Sequence, residues 1–167
     1  MVVGVMAAAM LYFGFHMARR AGSDAPHLAG KSSVAPDFTL ESLDGKNMRL
    51  SDLRGKAVLL NFWATWCGPC REAIPDLEKV YKKYHSQGLE VVGISVDHTA
   101  DPVPAVVAEL GMTYPVVQSE DIPDIRSKYQ FNSIPQAYVI DKQGKVAASI
   151  TGAANDLEEQ VKPLLAE

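Results

Sequence analysis

The sequence predicts an α/β domain that is built on a mixed β-sheet flanked by helices. An apolar run of strand length, Ala57–Trp63, is followed by an amphipathic helix and then by a second apolar run over 89–96. Strands that are apolar at almost every position are typical of a sheet covered on both faces. A strand–helix–strand unit favours parallel pairing, whereas turn signals at 44–45 and 141–144 favour antiparallel hairpins. Together these observations predict a sheet with both kinds of pairing.

Each element follows from a local pattern. Strands over 38–40 and 48–50 flank Asp44-Gly45, a strong turn signal, and predict an N-terminal hairpin. The helix over 69–86 carries apolar residues at three- and four-residue spacings, and Gly88 is a stop signal. The remaining predictions are a helix over 101–110, a strand over 116–117, a helix over 122–129, strands over 136–140 and 146–151, and a C-terminal helix whose apolar face is formed by Leu157, Val161, Leu164 and Leu165.

Composition excludes several classes of protein. The chain has 167 residues, which fits one domain of ordinary size. Its 16 Lys and Arg against 20 Asp and Glu give a net charge of −4, and no basic stripe offers phosphate contacts. Nucleic acid is therefore not an expected partner. Two cysteines are too few for a disulfide-stapled scaffold or for a zinc site of three or four cysteines.

Residues 1–20 form an apolar N-terminal segment. Positions 2–18 carry no formal charge and would make about 25 Å of helix, close to the ~30 Å core of a bilayer. We expect an uncleaved membrane anchor, because the start lacks the basic region and the small-residue cleavage site of a signal peptide. A cleaved signal peptide and a soluble helix are the alternatives. Arg19 and Arg20 follow the segment and favour the cytoplasmic side, which leaves the orientation open.

A linker is predicted between this segment and the folded part of the chain. Residues 21–36 are rich in Ala, Gly, Ser and Pro and show no periodicity. The folded domain is therefore predicted over 37–167.

The strongest chemical signal is the sequence Trp-Cys-Gly-Pro-Cys over 66–70. A C-x-x-C motif between a buried strand and a helix is typical of a thioredoxin-like redox centre. Cys67 is predicted at the helix start, where free N–H groups and the helix dipole favour the thiolate that attacks a disulfide. Cys70, one turn later, is expected to be more buried and to attack the resulting mixed disulfide. Pro69 suits the first helical turn.

Other interpretations of the cysteine pair fit the sequence less well. A structural disulfide that closes so short a loop removes little chain entropy. A zinc site needs two further ligands, and covalent haem attachment needs His directly after the second cysteine, where this chain has Arg71. The pattern therefore favours a redox-active Cys67–Cys70 pair that needs no metal and no other cofactor.

Ser133-Ile134-Pro135 precedes a predicted strand. Pro135 can be an ordinary proline at a strand start, which donates nothing to the sheet. It can also be a cis-proline whose loop packs against Cys67 and offers backbone groups to a substrate peptide. The residues alone leave both interpretations open.

From about residue 34 to 166 the chain resembles the TlpA/ResA-like branch of the thioredoxin-fold thiol–disulfide oxidoreductases. The resemblance lies in the W-C-G-P-C block with its flanks, in GLEVVGISVD over 88–97, and in SIPQAYVIDKQGKVAASITG over 133–152. It implies a thioredoxin-like fold with an N-terminal β-hairpin extension. It also implies Cys67 as the nucleophile, Cys70 as the resolving thiol and Pro135 as a cis-proline.

The resemblance also implies a function. Members of this branch are usually membrane-tethered or secreted, and they commonly reduce selected disulfides, often in cytochrome c maturation. We therefore expect a monomer, anchored in the membrane with an extracytoplasmic domain, that reduces protein disulfides and draws electrons from a membrane thiol donor. Trp63 is expected in the core and Trp66 over the disulfide. The predicted substrate-binding and supporting residues are Trp66, Gly68, Pro69, Ile134 and Pro135.

The chain departs from the family pattern at two positions. Many thioredoxins carry a buried Asp in the strand before the motif, and this chain has Asn61, which cannot act as a base. Several family members carry Glu three residues after the second cysteine, where this chain has Ala73 and places Glu72 one residue earlier. A shift of one residue turns a helical side chain by about 100°. Glu72 is thus a candidate for proton handling, with a plain first-turn acid as the alternative.

Two other functions fit the sequence less well. A peroxidase of the peroxiredoxin type usually has Thr three residues before its cysteine and a Pro further upstream, but here Thr65 lies two residues before Cys67 and the Pro is absent. A copper-handling module of this fold tends to use C-x-x-x-C with a distant His, and the spacing here is shorter.

Overall fold

The computed structural model describes residues 33–119, 121–152 and 156–166. These residues form a seven-stranded sheet and four α-helices. The strands are β1 (Thr39–Ser42), β2 (Asn47–Arg49), β3 (Ala57–Trp63), β4 (Leu89–Ser95), β5 (Val116–Gln118), β6 (Gln136–Ile140) and β7 (Val146–Thr151). The helices are α1 (Gly68–Tyr84), α2 (Val103–Glu109), α3 (Ile122–Tyr129) and α4 (Leu157–Leu165).

The sheet is mixed, as the sequence predicts. Its strand order is β2-β1-β5-β4-β3-β6-β7. The central strands β3, β4 and β5 are parallel to their neighbours within this group, whereas β1, β2, β6 and β7 join through antiparallel pairing. All seven residues of β3 and all seven of β4 are buried, which explains their almost unbroken apolar sequence.

The N-terminal hairpin is confirmed with shifted ends. Its strands pair antiparallel, with Thr39 opposite Arg49, and β1 also pairs with β5. Leu50, predicted as a strand residue, instead opens a 3₁₀ turn over Leu50–Leu53. The Asp37 carboxylate accepts a hydrogen bond of 2.9 Å from the N–H of Ser51, which fixes this turn. The hairpin therefore extends the main sheet.

Helix α1 carries the cysteine motif and lies on the sheet. Its buried apolar residues are Cys70, Ile74, Leu77, Val80 and Tyr84. A 3₁₀ turn over His85–Gln87 continues the helix, and Gly88 ends it with a φ of 98°. This confirms Gly88 as the stop signal, because a positive φ favours glycine.

Residues at the end of the predicted linker pack on the domain. Val34 forms a β-bridge with Lys145, and Ala35 is buried. The Tyr129 hydroxyl donates a hydrogen bond of 2.6 Å to the carbonyl oxygen of Pro36. Residues 34–36, at the end of the predicted linker, thus pack against the folded domain.

The predicted N-terminal segment 1–20 and most of the linker lie outside the described residues. Within residues 33–119, 121–152 and 156–166, no helix is both long and apolar enough to cross a membrane.

Glu78 is a buried carboxylate that holds α1 to the loop before β5. It accepts hydrogen bonds from the Thr113 N–H at 2.9 Å and from the Thr113 hydroxyl, and Lys82 lies 3.1 Å from it. Burial acts to raise the pKa of Glu78, but these hydrogen bonds and the charge of Lys82 outweigh burial and lower the pKa below its ordinary value. The interaction therefore stabilises the fold when Glu78 is ionised.

We predict that Glu78→Gln lowers the free energy of unfolding by about 1–3 kcal/mol at neutral pH. Because the folded pKa is depressed, the stabilisation is complete above the ordinary Glu pKa and is lost as pH falls through the lowered value. Urea unfolding of variant and wild type should thus differ less near pH 3 than at pH 7. Asp76→Asn, on an exposed carboxylate of the same helix, is the control and should change little. A difference independent of pH would contradict this account.

Candidate active site

The two cysteines of the motif form a disulfide at the start of α1. Their Cα atoms are 5.3 Å apart. Cys67 is the N-cap residue, and its sulfur accepts a hydrogen bond of 3.3 Å from the N–H of Cys70. Pro69 lies in the first turn, where a backbone N–H has no partner within the helix, so the missing N–H of proline costs no hydrogen bond. The nucleophile predicted from the sequence therefore lies where free N–H groups stabilise a thiolate.

The two cysteines differ in exposure, as the sequence predicts. Cys70 is fully buried, whereas Cys67 retains 6% of its surface. Gly68 and Pro69 are exposed beside it. An incoming disulfide can therefore reach Cys67 before Cys70, which suits attack by Cys67 and resolution by Cys70.

The two tryptophans have different environments. Trp63 is fully buried in the core, as expected. Trp66 is 67% exposed, so most of its indole faces solvent beside Cys67. Its covering of the disulfide stays a prediction, and its exposure leaves an apolar surface available to a substrate.

The peptide bond between Ile134 and Pro135 is cis, as the family resemblance implies. The packing of its loop against Cys67 and its role in substrate binding stay predictions. Strand β6 follows at once, and its first residue, Gln136, pairs with Phe62 near the carboxyl end of β3. Pro135 and the chain leading to Cys67 therefore lie at the same edge of the sheet. The carbonyl oxygen of Pro135 accepts a hydrogen bond of 2.9 Å from the N–H of Gly152. Within the described residues, the backbone of Ile134 makes no hydrogen bond.

Asp97 is a site residue that the sequence analysis missed. It follows β4 and is 3% exposed. Its carboxylate accepts hydrogen bonds from the Thr65 N–H at 3.0 Å, the Thr65 hydroxyl at 2.6 Å and the Ser95 hydroxyl at 2.8 Å. The sequence did contain a signal for it, because Asp97 directly follows the predicted buried strand over 89–96. The carboxyl ends of parallel strands meet at one edge of a sheet, which would place Asp97 near the end of β3.

Asn61 and Glu72 mark the departures from the family pattern. Asn61 is 2% exposed in β3, and its side-chain nitrogen has no hydrogen-bond partner within the described part of the chain. An amide cannot take up a proton as a carboxylate does. Glu72 is exposed on α1. Its role in proton handling stays a prediction.

The chain matches known proteins over most of this domain. The model of the AhpC/TSA family matches residues 32–149. The thiol-disulfide oxidoreductase ResA of Bacillus subtilis is 38% identical over 133 residues, which cover 77% of this chain and 74% of the relative.

Two solved structures extend the comparison. The thioredoxin domain of a thiol-disulfide oxidoreductase from Bacteroides vulgatus is similar with a TM-score of 0.77 and 28% identity, and the match covers 81% of this chain and 98% of that one. A thiol:disulfide interchange protein of the thioredoxin family from Chlorobium tepidum has a TM-score of 0.73 and 34% identity over the same shares. The fold is therefore thioredoxin-like, as the sequence predicts.

We predict that Cys70→Ser traps a mixed disulfide between Cys67 and its substrate. The variant keeps Cys67, the more accessible of the two cysteines, but lacks the thiol that releases the product. Non-reducing electrophoresis with a protein disulfide substrate should show the adduct, and mass spectrometry should place it on Cys67. Cys67→Ser is the control, because Cys70 is fully buried and should form little adduct. Equal trapping by both variants would contradict the assigned roles.

Proposed function

Because the chain belongs to the AhpC/TSA family and is a thiol–disulfide oxidoreductase similar to ResA, we propose that it reduces disulfide bonds of proteins outside the cytoplasm. The observation that carries the proposal is the surface around the sulfur of Cys67. Trp66 is an exposed apolar side chain next to Cys67 in the sequence. At the same edge of the sheet, the backbone of Ile134 makes no hydrogen bond within the described residues. Such a surface suits a polypeptide better than a small thiol.

The two parts of this surface would bind different features of a substrate. The N–H and C=O of Ile134 can pair with an extended segment that carries a disulfide, as a strand pairs with a sheet edge. The indole of Trp66 can cover apolar side chains of the same segment, since aromatic residues supply large contact areas at binding sites. The Ile134 side chain is half-buried and lies beside this backbone segment.

The reaction transfers two electrons and two protons from the reduced cysteine pair to the substrate. The Cys67 thiolate attacks one sulfur of the substrate disulfide, so that a new S–S bond forms and the other substrate sulfur leaves as a thiolate that takes a proton. The Cys70 thiol then loses its proton, and the resulting thiolate attacks the sulfur of Cys67. This step closes the Cys67–Cys70 disulfide and releases the second substrate thiol.

The oxidised pair must be reduced again before the next turnover. A membrane-bound dithiol carrier is the proposed donor, since the predicted anchor over 1–20 would hold the domain close to such a protein. An extracytoplasmic site suits this chemistry because protein disulfides form and persist there. Apocytochromes c, whose cysteines must be reduced before haem attachment, are the proposed clients. The protein is proposed to act as a monomer.

The competing functions are less well supported. Thr65, the residue closest to a peroxidase threonine, donates its hydroxyl to the Asp97 carboxylate. A copper-handling role needs further ligands, and within residues 33–119, 121–152 and 156–166 no group of three or more His, Cys, Asp or Glu could hold a metal ion. The similar proteins described above are thiol–disulfide oxidoreductases or interchange proteins, which favours neither alternative.

We predict a reducing potential for the Cys67–Cys70 pair. Equilibration of the full-length chain with glutathione and dithiothreitol buffers should give a value of roughly −250 to −290 mV, near the thioredoxin end of the scale. The Gly68-Pro69 dipeptide, which resembles that of reducing thioredoxins, motivates this value. A potential near about −120 mV, at the DsbA end, would identify an oxidant and overturn the proposed direction.

We also predict that Trp66→Ala weakens binding of protein substrates without impairing the exchange chemistry. The KM for insulin disulfides should rise about fivefold, because a contact of about 1 kcal/mol is lost, while the rate with a small aromatic disulfide stays within about twofold. Leu43→Ala removes another exposed apolar side chain, from the β1–β2 turn away from Cys67, and is the control. If Trp66→Ala slows both substrates equally, the indole supports the cysteines and does not bind the substrate.

A further inference from the structure

The segment between β3 and α1 contains few groups that hold it in place. Trp66 is mostly exposed and Thr65 is half-buried. Two backbone hydrogen bonds help to fix the segment: Val96 N–H to Trp63 C=O at 2.9 Å, and Cys67 N–H to Ala64 C=O at 3.1 Å. Neither of these bonds engages Thr65, which lies midway between Trp63 and Cys67.

We propose that Asp97 is a positioning residue for Cys67 and acts through Thr65. The Asp97 carboxylate accepts both the N–H and the hydroxyl of Thr65, so that one charged group holds the backbone and the side chain of this residue. Hydrogen bonds to a charged acceptor are roughly twice as strong as those between neutral groups. The side chain of Asp97, which follows the neighbouring strand β4, thus fixes the segment that leads to Cys67.

Asp97 is itself held on the end of the sheet. The Ser95 hydroxyl donates to the Asp97 carboxylate and accepts from the Asp97 N–H at 3.2 Å. The Gln118 side-chain amide donates to the Asp97 carbonyl oxygen at 2.7 Å. The hydrogen bonds around Asp97 therefore extend across the carboxyl ends of β4 and β5. Among the described residues, no cationic side chain pairs with Asp97, so hydrogen bonds alone compensate for the burial of its charge.

The contact between Asp97 and Thr65 matters for the reaction because the reactivity of Cys67 depends on where its sulfur lies. The sulfur accepts the N–H of Cys70 at the helix start, and this placement favours the thiolate. If Thr65 moves, Cys67 is no longer held over the first turn of α1. The thiolate then loses part of its stabilisation, and less of it is present at neutral pH.

The fold supplies a matched control for this idea. Glu78 accepts the N–H and the hydroxyl of Thr113 as Asp97 accepts those of Thr65. Both carboxylates are buried, at 7% and 3% exposure. The contact between Glu78 and Thr113 lies at the loop before β5, outside the segment that leads to Cys67. Loss of the Thr113 hydroxyl should therefore cost stability without changing the thiol.

The test measures how the rate at which iodoacetamide alkylates Cys67 depends on pH. It uses the reduced full-length chain in a Cys70→Ser background. Thr65→Val removes the hydrogen bond from the Thr65 hydroxyl to Asp97 and leaves the charge of Asp97 in place. It should move the midpoint of the profile about half a pH unit upward, so that alkylation below the midpoint is about threefold slower. Thr65→Ser keeps both donors and should restore the wild-type profile. Thr113→Val should leave the profile unchanged.

A second variant keeps the test decisive if Thr65→Val does not fold. Ser95→Ala removes a donor to Asp97 at a fully buried position with little change in volume, and it should shift the profile in the same direction. The proposal is overturned if Thr65→Val or Ser95→Ala gives the wild-type profile, or if Thr113→Val shifts it equally. The inference concerns the exchange chemistry itself. Its failure would leave the proposed substrates and direction untouched, since those are tested by the potential and by Trp66→Ala.

Discussion

The chemistry of this protein depends on one junction in the chain, where a fully buried central strand gives way to a helix. Every residue of β3 is buried, so its end is fixed by sheet pairing on both sides. Cys67, four residues after the end of β3, is the N-cap of α1, which begins at Gly68. The helix start must therefore lie at the edge of the sheet, and the cysteine meets unpaired N–H groups there. The reactivity of the thiol follows from this junction.

Other elements bring their functional residues to the same edge because of strand direction. Strand β4 is parallel to β3, so Ser95 and Asp97 lie beside the segment that follows Trp63. Strand β6 is antiparallel to β3, so its first residue, and Pro135 before it, lie at this edge as well. A mixed sheet can therefore place both a strand end and a strand start next to the nucleophile.

Much of this arrangement could be predicted from the sequence, because it depends on local patterns. The apolar runs predicted β3 and all of β4, with one residue too many at the end of β4, and the C-x-x-C spacing predicted both cysteines and their relative burial. The residues alone could not decide that Pro135 is cis, since the isomer depends on tertiary contacts, and only the family resemblance pointed to it. Asp97 was missed for a similar reason. Its partner, Thr65, is 32 residues away in sequence, and only the pairing of β3 with β4 brings the two together.

Buried polar groups at this end of the sheet fix positions more than they add stability. A buried hydrogen bond contributes only about 1 kcal/mol net, whereas a buried polar group without a partner costs about 1–3 kcal/mol. The side chain of Gln136, 4% exposed, bonds to Ser149 and Thr151 on β7, and Asp97 bonds to Thr65. An apolar residue of similar size could fill either volume, but it would release the segment beside it. The side chain of Gln136 therefore holds the start of β6 to β7, and Asp97 holds the segment before Cys67 to the end of β4.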